Sequence, residues 1–415
     1  MQTQIQAGII TIGDEILVGQ TIDTNSAWIA NKLNEIGISV REILSISDKA
    51  ERITEALDRM LGNCNLIIFT GGLGPTKDDI TKHVLTRYFN DKLVMHESVL
   101  NKIEDMFRHI NRPLLDVNKQ QALLPSMATI IENDLGTASG MWFTREKADI
   151  ISLPGVPFEM KGLMEKIIPE LRKKHKLASF YHRTILFQGI GESQLAHEIN
   201  DIEEACAKSD IAVAYLPSPG IVKLRLTGAK EHSASMEQHF TTLQKRFEGQ
   251  VFGFDDDTLE KVIGKHLSSS NQTVSTVESC TGGALASRIV SVPGSSTYYL
   301  GSIVAYDNAV KTSFADVQPE LISTHGAVSR QVAEQMAFGG AKRLKTHYCI
   351  ATTGIAGPNG GSAEKPVGTV WIAIASPEKV YSKQFHFKHN RERNIELTVV
   401  YALNFLRRII CNTND

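Results

Sequence analysis

The stretch QAGIITIG, residues 6–13, decides how the first third of the chain is read. Its apolar run is too short for an ordinary helix and stops at a glycine, which predicts a buried strand. Downstream, TNSAWIANKLNEIG (24–37) has helical apolar spacing with Gly37 as its stop, ISVREILSIS (38–47) reads as a strand and ERITEALDRML (51–61) as a helix. NLIIFTGG (65–72) is again a strand, followed by a helical pattern from about Asp79. This alternation predicts an α/β fold: a mainly parallel sheet with helices on both faces. A further strand, ADIISLPG (148–155), leads through Pro154, Gly155 and Pro157 into the helix FEMKGLMEKIIPELRKK.

After about residue 170 the pattern changes. HRTILFQGIG reads as a strand, ESQLAHEINDIEEACAK as a helix, and IAVAYLPSP with IVKLRLTGA as a strand pair, followed by a helix to about Phe247. FGFDDD (252–257) reads as a linker. Beyond it come a helix, the strand QTVSTVE, a helix opened by VESCTGG, a strand at YLGSIVAY, helices near 317–343, the strands HYCIATTG, GTVWIAIAS and KVYSKQFHF, and the closing helix RNIELTVVYALNFLRRII. Three domains are expected, with boundaries at 1–168, 169–252 and 253–415: an α/β domain, a small α+β middle domain and a second α/β domain.

Charge excludes one class of function. The chain has 44 Lys plus Arg against 46 Asp plus Glu, divided as 28 against 32 in residues 1–252 and 16 against 14 in residues 253–415. A protein that holds phosphate backbones needs a basic face, so no nucleic-acid partner is expected. The densest basic run, Arg172, Lys173, Lys174, His175 and Lys176, reads as a solvated helix end. Five scattered cysteines without a CxxC pair argue against a disulfide framework and a zinc site. MQTQIQAGII has no signal-peptide pattern and no apolar run nears the ~20 residues of a membrane span, so a cytoplasmic protein without a membrane partner is expected.

In open α/β sheets ligands sit beyond the carboxyl ends of the strands. Two loops there are chemically loaded. In GDEILVGQ, Asp14 and Glu15 follow the first strand; in TGGLGPTKDD, Gly71, Gly72 and Gly74 precede Thr76, Asp78 and Asp79. Glycines let amides approach phosphate oxygens, and paired carboxylates suit a divalent cation that bridges phosphates. The plainer reading is a tight turn with Asp78 or Asp79 capping a helix. GDEILVG is neither a dinucleotide fingerprint nor a Walker loop, and GIGES (189–193) in the middle segment lacks a GxxG loop.

VESCTGGAL (277–285) sets Ser279, Cys280 and Thr281 side by side at the expected start of a helix, where developing negative charge is stabilised. Any of the three is a candidate nucleophile; Ser279 or Thr281 as a simple helix cap is the alternative. A hydroxyl needs a base. His266, His325 and His347 lie in this region, and GSIVAYDNAVKTS offers Lys311, with Tyr306 as a proton relay, for a lysine base kept neutral by burial. The loop TTGIAGPNGGSAEKPVGT (352–369) is long and rich in glycine and proline, and its amides and Thr353 are candidates for holding phosphate or closing a pocket.

Taken together, ESCTGG, PGSS, GAVS, TGIAGPNGG and KPVGT in that order, with GDEILVGQ, GGLGPTKDD and LPGVPFEM before them, resemble the CinA family of competence/damage-inducible proteins. The resemblance implies a C-terminal domain similar to nicotinamide mononucleotide (NMN) deamidases, which need no cofactor and release nicotinic acid mononucleotide and ammonia in pyridine nucleotide salvage. Ser279 would be the nucleophile, Lys311 its base and Tyr306 the relay, with Thr353, Gly354 and Arg393 binding substrate. It implies an N-terminal domain similar to molybdopterin-binding domains, with ADP-ribose pyrophosphatase activity dependent on a divalent metal ion (Mg, Mn or Co). Asp14, Glu15, Asp78 and Asp79 would then be metal or phosphate residues, with Gly71, Gly72, Gly74 and Thr76 at the substrate. A homodimer is also implied. VESC for the commoner AESC, YDNAVK for YSNEVK and FADV for LGV are departures that leave Ser279, Tyr306 and Lys311 intact. A non-catalytic nucleotide- or pterin-binding protein is the competing expectation.

Overall fold

The computed structural model describes residues 5–76, 78–175, 177 and 180–411. Lys77 of GGLGPTKDD, Lys176 of the basic run and the first four residues lie outside the described residues. The chain divides into two compact units, residues 1–180 and 181–415.

The first unit is built on a six-stranded sheet in the order Ser39–Ile46, Gln6–Ile12, Leu66–Thr70, Ala148–Leu153, Gly140–Arg145, Thr129–Ile131. The first four strands are parallel and the last two antiparallel. Successive side chains of a strand point to opposite faces, so a run such as LIIFT, buried at every residue, must be covered on both. Ile9, Ile68 and Ile151 pack under the helices Thr24–Glu35 and Pro157–His175; Ile10, Ile67 and Ile150 pack under Ala50–Leu61 and Thr81–Tyr88. Arg172, Lys173 and Lys174 of the basic run are exposed at the end of the helix Pro157–His175, as a solvated end requires, and Lys174 and His175 also reach a buried carboxylate. Asp149 is 1% exposed and accepts from Lys174 Nζ at 2.5 Å, His175 Nε2 at 2.9 Å and Trp142 Nε1 at 2.8 Å, so a buried carboxylate fixes the end of that helix.

The second unit holds two sheets. A four-stranded sheet runs in the order Ala212–Ser218, Ile221–Ala229, Phe180–Gln188, Val251–Phe254. The expected single helix at 192–208 is two, Glu192–Glu198 and Asn200–Lys208. FGFDDD is no linker at its start: Val251–Phe254 pairs antiparallel with Phe180–Gln188, because Phe252 has a core to enter. The five-stranded sheet has the order Tyr299–Val304, Val274–Glu278, Tyr348–Gly354, Thr369–Ala375, Val380–His386, with the first three parallel. The helix Arg391–Ile410 covers one face and Arg330–Leu344 the other. Arg407, 4% exposed, ties the two sheets together by donating to Gly249 O at 2.6 Å and Asn404 Oδ1 at 2.9 Å. No described helix is long and apolar enough to cross a membrane.

Candidate active site

The strand Val274–Glu278 ends on a fully buried glutamate. The expected helix does not open at Ser279. Residues 279–283 form a loop with Gly282 and Gly283 at φ of 59° and 99°, and the helix is Ala284–Val290. Its cap is neither Ser279 nor Thr281 but Glu278, whose carboxylate accepts from the amides of Gly283 (2.9 Å), Leu285 (3.1 Å) and Ala286 (2.8 Å). Thr281 Oγ1 is occupied with Thr352 Oγ1 at 2.8 Å. The Ser279 side chain is therefore released from the capping role that its sequence position suggested.

Ser279 opens onto a cavity of ≈ 200 Å³ together with Lys311, Tyr306, Thr353, Gly354 and Arg391. Lys311 lies on the helix Asn308–Ala315 and is 2% exposed. Its Nζ donates to the carbonyls of Ala305 at 2.9 Å and Tyr306 at 3.0 Å. Burial pulls its pKa below the ordinary 10.5, with Asp307 and the neighbouring Cys280 opposing. A neutral amine beside a serine hydroxyl is the pairing that Ser-Lys chemistry requires. Burial pushes the Cys280 thiol up to about 12, so the stronger intrinsic nucleophile stays protonated. None of the three candidate histidines lines the cavity: His347 Nδ1 meets Thr273, and His266 Nε2 faces Cys411 Sγ at 3.5 Å.

Two expected site residues, the relay Tyr306 and the substrate residue Arg393, stand differently. Tyr306 touches Lys311 through its carbonyl, whereas its phenol, on a side chain 62% exposed, accepts from Arg391 Nη2 at 3.2 Å. The phenol relay is thus not the arrangement observed, because the ring turns to the cavity mouth. Arg393 does not line the cavity; it pairs with Glu396 at 3.2 Å, while Arg391, two residues earlier, does and is anchored on Gly357 O at 2.9 Å. The family resemblance pointed to Arg393 alone; the first turn of the helix brings Arg391 to the cavity instead. Thr353 spends its hydroxyl on Ala327 O at 2.9 Å, holding the Ala327–Val328 wall in place. Gly354 is required for close approach: a Cβ there would meet Thr369 O at 2.9 Å.

In the first unit, the three motif loops leave one edge of the sheet. Thr11 pairs with Thr70 and Thr70 with Leu153, so the segments after Ile12, Thr70 and Leu153 emerge side by side. Gly71 and Gly72 hold φ of 116° and 68°, and a Cβ on Gly71 would lie 2.3 Å from Ile12 O. Asp79 Oδ2 accepts from Thr76 N at 2.9 Å and Thr76 Oγ1 at 2.5 Å, which closes a turn instead of capping the next helix; the same carboxylate crowds Gly74. Asp14, Glu15 and Asp78 are exposed. Among the described residues no three His, Cys, Asp or Glu side chains converge into a group that could hold a metal ion. Asn25, which carried no sequence signal, bridges the edge: its Nδ2 donates to Thr70 Oγ1 at 3.0 Å and Gly155 O at 2.8 Å, and its buried Oδ1 has no partner among the described residues.

The fold and site define a two-unit α/β protein with a buried lysine and a serine on one cavity, and a glycine-loop edge in the other unit. Family models match three segments, two of them within the second unit: a probable molybdopterin binding domain at residues 8–173, a damage-inducible protein CinA KH domain at 182–253 and a CinA C-terminal domain at 256–410. A CinA-like protein of Flavobacterium psychrophilum is 48% identical over 98% of this chain and 99% of its own length. A CinA-like protein of Cytophaga hutchinsonii is 45% identical over the same shares. The chain belongs to the CinA family. Among solved structures, a competence/damage inducible protein from Agrobacterium tumefaciens is 38% identical, covering 36% of this chain and 93% of its own, with a TM-score of 0.36.

Proposed function

We propose that the C-terminal part of the chain is an amidohydrolase acting on NMN. The observation that carries this reading is the burial of Lys311 on the same small cavity as Ser279, with its pKa lowered by desolvation. In the proposed mechanism Lys311 Nζ takes the Ser279 hydroxyl proton as Oγ attacks the carboxamide carbon. The amides of Cys280 and Thr281, next along the loop, are the proposed donors to the oxyanion. The lysine then protonates the departing nitrogen, the carboxamide C–N bond breaks and ammonia leaves, with the nicotinoyl group, still carrying its ribose phosphate, esterified to Ser279. Water, deprotonated by the same amine, cleaves that ester to nicotinic acid mononucleotide and restores the serine.

The cavity of ≈ 200 Å³ falls below the roughly 300 Å³ of pockets that enclose a whole drug-sized ligand. It suits the carboxamide and ring, with the ribose phosphate at the mouth near Arg391. Ammonia release from NMN by the wild type, lost in Ser279→Ala and kept in Cys280→Ala, is the expected result; equal turnover in Ser279→Ala would overturn the reading.

For the first unit we infer a site for a phosphate-bearing nucleotide at the glycine-loop edge, supported by Gly71 and Gly72 for the phosphate, while the unpartnered Asn25 oxygen is an acceptor suited to a ribose hydroxyl. Hydrolysis of ADP-ribose is the reaction that family resemblance suggests there. Conversion of ADP-ribose to AMP with added Mg, Mn or Co, diminished in Asp78→Ala, is the supporting outcome. Binding without turnover under all three metals would leave a nucleotide-binding unit and reject the pyrophosphatase.

A further inference from the structure

A second cavity in the C-terminal unit shares no wall residue with the Ser279 cavity. Its volume is ≈ 750 Å³, and it lies between the edge strand Val380–His386, the helix Arg391–Ile410 and the residues Gln188, Gly189 and Gln250 of the middle segment. Arg330, Lys379, Lys383 and Arg408 line it, and no carboxylate does. In a chain with balanced charge, that is a local excess of one sign within a concave wall, the arrangement that concentrates anions. Arg330 shares its charge with Glu334 at 2.7 Å and Lys383 and Arg408 also have partners, so the sign of the wall is set by the four cations together.

The remaining wall is aromatic and amide. Tyr381 and Tyr401 are half-buried, and Lys379 Nζ stands 4.7 Å from the Tyr381 ring centroid. At the base, Gln188 is 4% exposed; its Oε1 accepts from Asn404 Nδ2 at 2.5 Å, but its Nε2 has no partner among the described residues. Arg407 fixes Asn404 from behind at 2.9 Å. A buried amide donor is costly to leave unmade, and a ligand acceptor would satisfy it. Cations for phosphate, rings for a planar base, amides for its edge and a volume within the range of small-molecule sites all fall within one cavity.

We propose that this cavity is a second ligand site, selective for a nucleotide diphosphate, with its phosphates on Lys379, Lys383 and Arg408 and its base against Tyr381 and Tyr401. The test is calorimetric titration of the full-length Ser279→Ala chain with ADP. A saturable event is expected that weakens about tenfold or more in Lys379→Glu/Lys383→Glu. It should persist in Lys311→Met, which alters only the other cavity. Lys383 is exposed, so Lys383→Ala provides a milder second variant whose melting temperature stays at the parent value. Tyr381→Ala should weaken ADP while leaving inorganic phosphate unaffected. The proposal is overturned by an unchanged affinity for ADP in the charge-reversed protein. It is also overturned by inorganic phosphate competing as strongly as ADP, or by a single-stranded oligonucleotide binding this charge-sensitive site more tightly than ADP.

Discussion

At the scale of the residue, Lys311 shows how stability and chemistry oppose each other. Its folded pKa lies below 10.5, so between the two values the unfolded chain binds the proton more tightly. The cost of burying the amine is full below the folded pKa and fades as pH rises through it toward 10.5. Lys311→Met should therefore raise the melting temperature at neutral pH while abolishing ammonia release. In the wild type, kcat/KM for NMN should climb with pH to a plateau, with an apparent pKa below 10.5 that Lys311→Arg removes. A pH-independent kcat/KM would exclude Lys311 as the base. Arg391 and Arg393 make a second residue-scale contrast. Arg391→Ala should raise KM for NMN by about tenfold, the loss of one charge-assisted contact, and Arg393→Ala should stay close to wild type. Ser279, Lys311 and Thr353 were legible in the sequence because motifs surround them. Arg391 was not, since the phase of a helix at its first turn cannot be read from spacing.

At the scale of the element, the loop 279–283 is held open by a cap from the residue before it. Glu278 accepts three amides of the next helix, which keeps the strand end, the nucleophile and the helix start in one fixed relation. Glu278→Gln turns an acceptor oxygen into a donor facing amides, and should cost about 1–3 kcal/mol of stability, read by denaturant unfolding, with a fall in kcat. The sequence pattern hid this. A glutamate ending an apolar strand looks like the first solvated residue, and serine and threonine are the commoner caps. The strand Val251–Phe254 was hidden for the complementary reason: its acidic tail reads as linker, yet the strand pairs with residues 185–187 and Phe252 enters a core built from Leu186 and from residues after 258, beyond the reach of local pattern. Where a parallel strand is apolar throughout, as in LIIFT, local sequence sufficed.

At the scale of the whole molecule, the chain folds as two units, and the middle segment belongs with the second through Arg407 and the Asn404–Gln188 pair. Calorimetric unfolding should accordingly give one transition for the second unit. Arg407→Ala, which leaves Gly249 O without its donor, should lower that transition and leave the first unit's melting unchanged; displacement of both would refute the division. The overall α/β order followed from strand and helix alternation, whereas the antiparallel edge at Thr129–Ile131 and Gly140–Arg145 carried too little regular pattern to be anticipated. The central claim is that Ser279 is an acyl-enzyme nucleophile. Rapid quench of the full-length protein with NMN, followed by peptide mass spectrometry, tests it most directly. An ester of the nicotinoyl group with its ribose phosphate still attached, mapped to Ser279 and absent from Ser279→Ala, is predicted; release of ammonia with the acyl group on another residue, or with none trapped on Ser279 while Ser279→Ala still turns over, would contradict it.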